Sequence, residues 1–233
     1  MTVSQQSLAR RVLALDMATR RVPTRRGKRA TRQARPRVRL DTDARRAQLL
    51  ARAIAVFGER PYDDVSIDAI AAAAGVSKGL LYHYFPTKKH LYLAGIELAG
   101  ADLLARVEPD PGLSPLERAT HGVDAYLAFV EEHAQAYVGL LRGGVGNDRQ
   151  VQRVVDDCRA RILDKLLSGL TVTFPAGELA SPEVRASLRG WIGYVETLSL
   201  DWLERRDLSR ARVREMAVEV LLFLLQRHLS GKP

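Results

Sequence analysis

The chain has 233 residues, of which 46% are hydrophobic and 27% charged, and this composition is typical of a globular protein with a sizeable core. One cysteine, Cys158, excludes an intramolecular disulfide and a cysteine-rich metal cluster. Apolar runs such as residues 220–225 are far shorter than the roughly 18–20 residues of a membrane span. The net charge of +9 does not describe the whole chain, because residues 1–40 carry 12 Lys and Arg against one acid and the remainder is nearly neutral.

The first predicted element is a disordered basic arm over residues 1–40. Its central part, residues 18–40, has few apolar side chains and contains two prolines and a glycine, so it cannot bury enough surface to offset the entropy of ordering. Such an arm can follow the phosphate backbone or a minor groove of DNA. The alternatives are a solvated tail and a translation start at Met17 in place of Met1. If the arm contacts DNA, deletion of residues 1–40 should make DNA binding less sensitive to salt.

Three helices are predicted in residues 41–90. Apolar residues recur at helical spacing over about residues 43–58, which gives the first helix. Ser66 is a suitable N-cap for the second helix, which ends at Gly75, a residue that tolerates the left-handed conformation. Ser77 caps the short helix that follows. Two helices joined by a tight turn that contains glycine form a helix-turn-helix, the arrangement that places its second helix in the major groove of DNA.

The rest of the chain, residues 91–233, is also predicted to be helical, which makes the protein all-α with about nine helices. The six further helices are expected at about residues 87–107, 114–132, a short segment ending near 141, 148–169, 183–204 and 210–229. The predicted architecture is therefore a three-helix domain over residues 41–90 followed by a larger helical domain.

A specific set of motifs lies within residues 43–91. The set comprises Phe57, Ser66-Ile67, Ile70-Ala71, Ala74-Gly75-Val76-Ser77, Leu81-Tyr82-His83-Tyr84-Phe85 and Lys88-x-x-Leu91. In these residues the chain resembles the N-terminal domain of the TetR (tetracycline-repressor-like) family of regulators. The resemblance is far more specific than a bare helix-turn-helix pattern. It implies a DNA-binding domain followed by an all-helical domain for ligand binding and dimerisation.

The helix-turn-helix supplies the predicted DNA-contacting residues. By resemblance, these are Ser66, Ser77, Lys78, Gly79, Leu80, Tyr82, His83, Tyr84 and Lys88. The free N–H groups at the start of a helix suit phosphate, the lysines add charge, and Leu80 could contact only a thymine methyl group. Three consecutive residues of a helix span about 200°, so Tyr82 and His83 are expected to face DNA while Tyr84 is shared with the core.

The last two helices, about residues 183–206 and 210–229, are predicted to form a homodimer. The run from Met216 to Leu225 is apolar on nearly every side, and the last helix of a domain of this size has only one side to place on its own core. The preceding helix adds an apolar stripe made of Trp191, Tyr194, Val195, Leu198 and Trp202. Two helices from each subunit would form a two-fold interface, which matches the symmetry of a palindromic operator. The alternative is that the last helix is the central helix of a monomer.

A ligand pocket is predicted in the C-terminal domain, where aromatic and polar side chains mix on the middle helices. The candidate ligand-binding residues are Tyr126, Phe129, His133, Tyr137, Arg142, Trp191 and Tyr194. A largely apolar cavity with a few polar groups is typical of small-molecule sites, although the same residue types also occur in a plain core. The effector itself is not identified by this pattern.

These features predict a cytoplasmic, sequence-specific transcriptional regulator. A repressor is favoured, which a small-molecule effector would release from a palindromic double-stranded DNA operator. For this to work, the effector must bind with different affinity to two conformations of the protein that differ in the spacing of the two recognition helices. The alternatives are a helical enzyme and a protein-interaction module whose helix-turn-helix does not read DNA. No HExxH or Walker pattern occurs and the five histidines lack ligand spacing, so no catalytic residue, metal or cofactor is predicted.

Overall fold

The computed structural model describes residues 36–229, and this range is helical with no β-strand. It contains ten α-helices and two short 3-10 helices. The chain divides between Gly95 and Ile96 into an N-terminal and a C-terminal unit, whereas the sequence predicted a boundary after residue 90. Most of the predicted basic arm, residues 1–35, lies outside the described residues.

The N-terminal unit consists of three helices and the first part of a fourth. These are α1 (Pro36–Phe57), α2 (Ile67–Ala74), α3 (Lys78–Tyr84) and α4 (Lys88–Arg106), with a 3-10 turn at Tyr62–Asp64 between α1 and α2. Helix α1 begins at Pro36 instead of near residue 43, because proline is well suited to the first position of a helix, where no N–H is needed. Residues 36–40 are therefore helical, and their assignment to a disordered arm is wrong.

The core of the N-terminal unit is formed by one apolar face of each helix. Its buried side chains include Leu49, Ala53 and Phe57 of α1, Ile67, Ile70 and Ala71 of α2, Leu81 of α3, Phe85, and Leu91 and Tyr92 of α4. Ile70, Leu81 and Leu91 are completely inaccessible to solvent. Burial of these side chains fixes which face of α3 remains outside.

The C-terminal unit holds the second part of α4 and six further helices. They are α5 (Pro115–Glu132), α6 (Ala134–Arg142), α7 (Arg149–Leu170), α8 (Ala176–Leu179), α9 (Pro182–Arg205) and α10 (Arg210–Leu229), with a 3-10 turn at Gly144–Asn147. The short helix α8 is an addition to the nine helices that the sequence predicts. It lies in a segment that Pro175 and Gly177 indicate to be a loop. None of the helices between residues 36 and 229 has the length and apolar character that crossing a lipid bilayer requires.

Helix α10 packs on α5 and α9 and supplies much of the core of the C-terminal unit. Val213, Ala217 and Leu221 of α10 are buried, and the indole N–H of Trp191 on α9 donates a hydrogen bond of 2.8 Å to the carbonyl oxygen of Ala217. The stripe of α9 that was predicted to face a partner belongs to the same core. Its members Trp191, Val195 and Trp202 are buried, and Tyr194 and Leu198 pack against them. The buried residues Trp191, Val195 and Trp202 are therefore not available to a second subunit, whereas Tyr194 and Leu198 remain partly exposed.

Candidate nucleic-acid interface and ligand cavity

The turn between α2 and α3 is closed by Gly75. Its φ of 66° and ψ of 34° lie in the left-handed region, and its N–H bonds the carbonyl oxygens of Ala71 and Ala72. The N–H of Val76 also bonds the Ala71 carbonyl oxygen, at 3.0 Å. A residue with a Cβ atom is strained in this conformation, so glycine is required here by the backbone. The predicted role of Gly75 is confirmed, and α3 begins three residues later as the second helix of a helix-turn-helix.

Two serine hydroxyl groups cap the helices of the motif. The Oγ atom of Ser66 accepts a hydrogen bond of 3.0 Å from the N–H of Ala69, and that of Ser77 accepts one of 3.2 Å from the N–H of Leu80. Both serines are exposed. Since a hydroxyl group has a donor as well as two acceptor lone pairs, each cap can still donate to a phosphate oxygen.

The outer face of α3 is apolar and aromatic. Leu80 is 36% exposed and Tyr82 40% exposed, and His83 is exposed as well. Tyr84 is half-buried and packs edge-on against the ring of His83 at a centroid distance of 5.3 Å. On the opposite face Leu81 is completely buried. This is the distribution expected from the sequence, with Tyr82 and His83 outside and Tyr84 shared.

The first two residues of α3 have different surroundings. The ammonium group of Lys78 forms an exposed ion pair of 2.9 Å with Asp68 on α2. This hydrogen bond raises the pKa of Lys78 above its ordinary value. A Cβ atom added to Gly79 would meet nothing within 4 Å, so the fold itself does not require glycine at this position. A backbone without a side chain at the start of α3 can instead approach a ligand closely.

Lys88 differs from the other predicted DNA-contacting residues because its partners are backbone groups of the protein. Its Nζ atom donates to the carbonyl oxygens of Tyr62 at 2.7 Å and of Val65 at 2.9 Å, and it lies 4.0 Å from the centre of the Tyr62 ring. The Tyr62 ring in turn packs against Tyr92 and Phe57. Lys88 therefore joins the start of α4 to the 3-10 turn, and its partners lie too far back in the sequence for any local pattern to show them.

We expect Lys88→Met and Lys78→Met to separate stability from DNA binding. Lys88→Met leaves two carbonyl groups without their charged donor and should lower the free energy of unfolding by about 2–3 kcal/mol. Lys78→Met removes only a solvent-exposed ion pair, so stability should change little, but DNA affinity should fall. Urea unfolding and gel-shift titration of both variants measure the two effects. An unchanged urea midpoint for Lys88→Met would contradict the structural role.

The C-terminal unit contains a cavity of about 600 Å³. Its walls come from the second part of α4 and from α5, α6, α7, α9 and α10, and most lining side chains are aliphatic or aromatic. Four of the seven predicted ligand-binding residues line it, namely Tyr126, Phe129, Tyr137 and Trp191. In residues 36–229 no group of three or more His, Cys, Asp or Glu side chains is arranged to hold a metal ion.

The other three predicted residues, His133, Arg142 and Tyr194, do not line the cavity. His133 stacks edge-on against Phe129 between α5 and α6, and burial lowers its pKa. Arg142 forms an ion pair with Glu204 of α9, and Tyr194 packs against the core. Helical periodicity indicates which residues share a face, but the neighbouring helix decides whether that face meets a cavity, a salt-bridge partner or packed side chains.

Polar groups that the sequence analysis missed lie beside the predicted tyrosines. The hydroxyl groups of Tyr126 and Tyr137 are hydrogen-bonded to each other, and burial raises the pKa of both. The guanidinium group of Arg159 binds the Glu196 carboxylate through two nitrogen atoms, at 2.9 and 2.8 Å. Both charged residues and Cys158 line the cavity. Arg159 and Glu196 belong to different helices, so no spacing in the sequence could have paired them.

Comparisons with known proteins agree with both units. Residues 49–94 match the family model described as "Bacterial regulatory proteins, tetR family", and residues 115–224 match "Tetracyclin repressor-like, C-terminal domain". A crystal structure of a tetR-family transcriptional regulator from Streptomyces coelicolor is 32% identical, with a TM-score of 0.70 over 82% of this chain and 90% of that chain.

Two curated relatives are named as regulators of opposite sign. The transcriptional activator FasR of Mycolicibacterium smegmatis is 38% identical over 115 residues, which are 48% of this chain and 52% of FasR. The transcriptional repressor KstR of Rhodococcus jostii is 27% identical over 182 residues, which are 76% of this chain and 82% of KstR. The match thus spans about half of the FasR sequence and most of KstR.

Proposed function

Because the chain belongs to the tetR family of bacterial regulatory proteins, we propose that it is a transcriptional regulator that reads an operator with α3. The observation that carries the proposal is the outer face of α3. Leu80, Tyr82 and His83 are held outward by a short helix whose other face is buried, and nothing in residues 36–95 covers them. A helix presented in this way fits the major groove of double-stranded DNA.

The exposed groups divide into two kinds of contact. The hydroxyl groups of Ser66 and Ser77 and the ammonium group of Lys78 suit phosphate oxygens, and such contacts fix the register of a protein on DNA. Tyr82 and His83 can reach base edges, and the side chain of Leu80 suits a thymine methyl group. Affinity is therefore assigned to the caps and the lysine, and specificity to the outer face of α3.

We propose that the protein binds a palindromic operator as a homodimer formed by α9 and α10. Leu222 and Phe223 of α10 are apolar residues at the surface, with exposed fractions of 36% and 65%. On α9, Gly190 and Gly193 are exposed, and a Cβ atom added to either would meet nothing within 4 Å. Small residues let two helices approach closely, so these positions suit the crossing of α9 with a partner helix. A two-fold protein matches the symmetry of a palindromic site.

The cavity supports regulation by a small-molecule effector. The second part of α4 contributes Leu103 and Leu104 to its wall, and the first part of the same helix contributes Leu91 to the core of the N-terminal unit. A ligand that favours one position of α4 would change operator affinity, provided that it binds the two states unequally. Repression is proposed because KstR, the relative matched over 182 residues, is a repressor. The named relatives are regulators, which favours this function over catalysis, and operator binding implies a cytoplasmic location.

A gel shift with the DNA upstream of the protein's own gene, together with selection from randomised DNA, tests the proposed function. We expect specific retardation that weakens strongly between about 50 and 200 mM salt, because phosphate contacts release counterions. The selected sequences should be palindromic. Failure to enrich any sequence and failure to retard any upstream fragment would contradict the proposal.

Deletion of residues 1–35 tests whether the basic arm contacts DNA. The deletion removes ten Lys and Arg residues but leaves α1, which begins at Pro36, complete. Each phosphate contact contributes about 0.9 to the slope of log affinity against log salt, so we expect a shallower slope and weaker binding. Circular dichroism checks that the shortened chain is folded. If the slope is the same as in the full chain, the arm does not contact phosphates.

A further inference from the structure

The walls of the cavity determine how polar its ligand can be. A volume of about 600 Å³ lies in the range of about 300–1,000 Å³ that is usual for small-molecule sites. Side chains such as Leu103, Ile162, Leu166 and Val195 form most of the surface. A polar group placed against them would lose its hydrogen bonds to water and gain none from the protein. The bulk of the ligand must therefore be hydrocarbon.

The hydroxyl groups of Tyr126 and Tyr137 are neutral polar groups of this wall, which also contains Ser114, Thr173 and Gln226. They are bonded to each other, and two hydroxyl groups have two donors, of which their mutual bond uses one. Burial raises the pKa of both tyrosines, so both hydroxyl groups keep their protons at neutral pH. The Tyr126 hydroxyl group also interacts with that of Ser199. When Tyr126 donates to Tyr137, the proton of the Tyr137 hydroxyl group is left to bond a ketone, ester or hydroxyl oxygen.

Three of the four basic side chains of the wall form ion pairs with acidic side chains. The ion pairs are Arg159 with Glu196, Arg161 with Asp157, and Lys165 with Glu108. The two other charged side chains of the wall, Arg118 and Glu97, are of opposite sign, and Arg118 donates to the carbonyl oxygens of Pro111 and Leu113. An anionic or cationic head group would enter an apolar space in which the charges are balanced, so its loss of hydration would not be repaid.

We propose that the cavity binds an uncharged, mostly hydrocarbon molecule whose one hydrogen-bonding oxygen is held by the Tyr126–Tyr137 hydroxyl pair. The proposal rests on the proposed function only in calling this molecule the effector. It names a class of ligand, namely neutral lipid-like ketones, esters and alcohols, and it sets this class apart from free fatty acids and amines, which carry the same chains with charged heads.

The test uses the full-length protein and three probes of equal chain length, 2-dodecanone, dodecanoate and dodecylammonium. Isothermal titration calorimetry at pH 7 gives the affinities, and a change in the fluorescence of the two tryptophans, of which Trp191 lies in the cavity wall, reports occupancy. We expect 2-dodecanone to bind at least about tenfold more tightly than either ion, because only the ions must lose the hydration of a charge. Equal or tighter binding of dodecanoate or dodecylammonium, or no binding of 2-dodecanone, would overturn the proposal.

The double variant Tyr126→Phe/Tyr137→Phe locates the head group. It removes both hydroxyl groups together, so neither is left without its partner, and it keeps the rings in the wall. We expect 2-dodecanone to bind about three- to tenfold more weakly, as for the loss of one neutral hydrogen bond. Tyr194→Phe is the control, because Tyr194 does not line the cavity. Thermal unfolding checks both proteins, and an unchanged affinity in the folded double variant would overturn the assignment of the hydroxyl pair.

The gel shift without any probe separates this proposal from the proposed function. A protein that retards its operator but does not bind 2-dodecanone contradicts the ligand class alone. A protein that binds 2-dodecanone through the tyrosine pair but enriches no DNA sequence contradicts the regulatory function alone, and the ligand class then stands.

Discussion

The double variant Tyr82→Ala/His83→Ala is expected to lose specific operator binding while its fold stays intact. Both side chains are exposed on α3, and alanine is a good helix former, so the free energy of unfolding should change by less than about 0.5 kcal/mol. Contacts with base edges contribute about 1–3 kcal/mol each, and a two-fold complex loses each contact twice. We therefore expect operator affinity to fall at least about 100-fold.

The decisive measurement is a gel shift of the double variant beside His121→Ala. His121 is an exposed histidine of α5 in the C-terminal unit, so its loss should leave operator affinity unchanged. Circular dichroism and sedimentation check the helix content and the oligomeric state of each protein. Specific retardation by the double variant at wild-type concentrations would show that α3 does not read the operator with this face.

The second large effect is expected for Phe223→Glu, which should convert the proposed dimer to monomers. Phe223 is 65% exposed on α10, and its burial against a partner would contribute about 1.5–3 kcal/mol, counted twice across a two-fold interface. Glutamate removes this contribution and introduces one negative charge from each subunit into the proposed interface. We expect the dissociation constant of the dimer to rise at least about 100-fold, and operator affinity to fall with it.

Val172→Glu is the matched control for this experiment. Val172 is 67% exposed and lies in the loop after α7, outside the two helices proposed for the interface, so a glutamate there should leave the dimer unchanged. Sedimentation velocity over a range of concentrations measures both variants. A second variant, Gly193→Arg, introduces a long side chain where an added Cβ meets nothing within the subunit, so it tests the face of α9 without disturbing the core. Dimers that persist in both Phe223→Glu and Gly193→Arg would place the interface elsewhere.

The features that the sequence predicted well depend on local chemistry. Ser66 and Ser77 cap helices because a serine hydroxyl group reaches the N–H three residues later. Gly75 closes the turn because only glycine adopts its backbone conformation without strain. The exposed and buried faces of α3 follow from helical periodicity, so Tyr82 and Leu81 were placed correctly. Each of these relations is contained within a few neighbouring residues.

The features that were missed depend on partners that are distant in the sequence. Lys88 bonds carbonyl groups 23 and 26 residues away, so its structural role was not visible beside its charge. The stripe through Trp191 and Trp202 was recognised as apolar, but periodicity could not decide whether a partner or the same subunit covers it. The pairing of Arg159 with Glu196 spans 37 residues and two helices. For the cavity, the sequence predicted the kinds of residue better than their positions.

The lone cysteine offers a practical way into the ligand site. Cys158 is half-buried and lines the cavity, and burial raises the pKa of its thiol, so the group reacts slowly with reagents from bulk solvent. A thiol-reactive fragment that first binds in the cavity is instead held beside the sulfur atom, and its adduct adds a known mass. Because the chain has a single cysteine, each adduct reports one position. Intact-mass screening of such fragments would therefore sample the chemistry of the site before any natural effector is known.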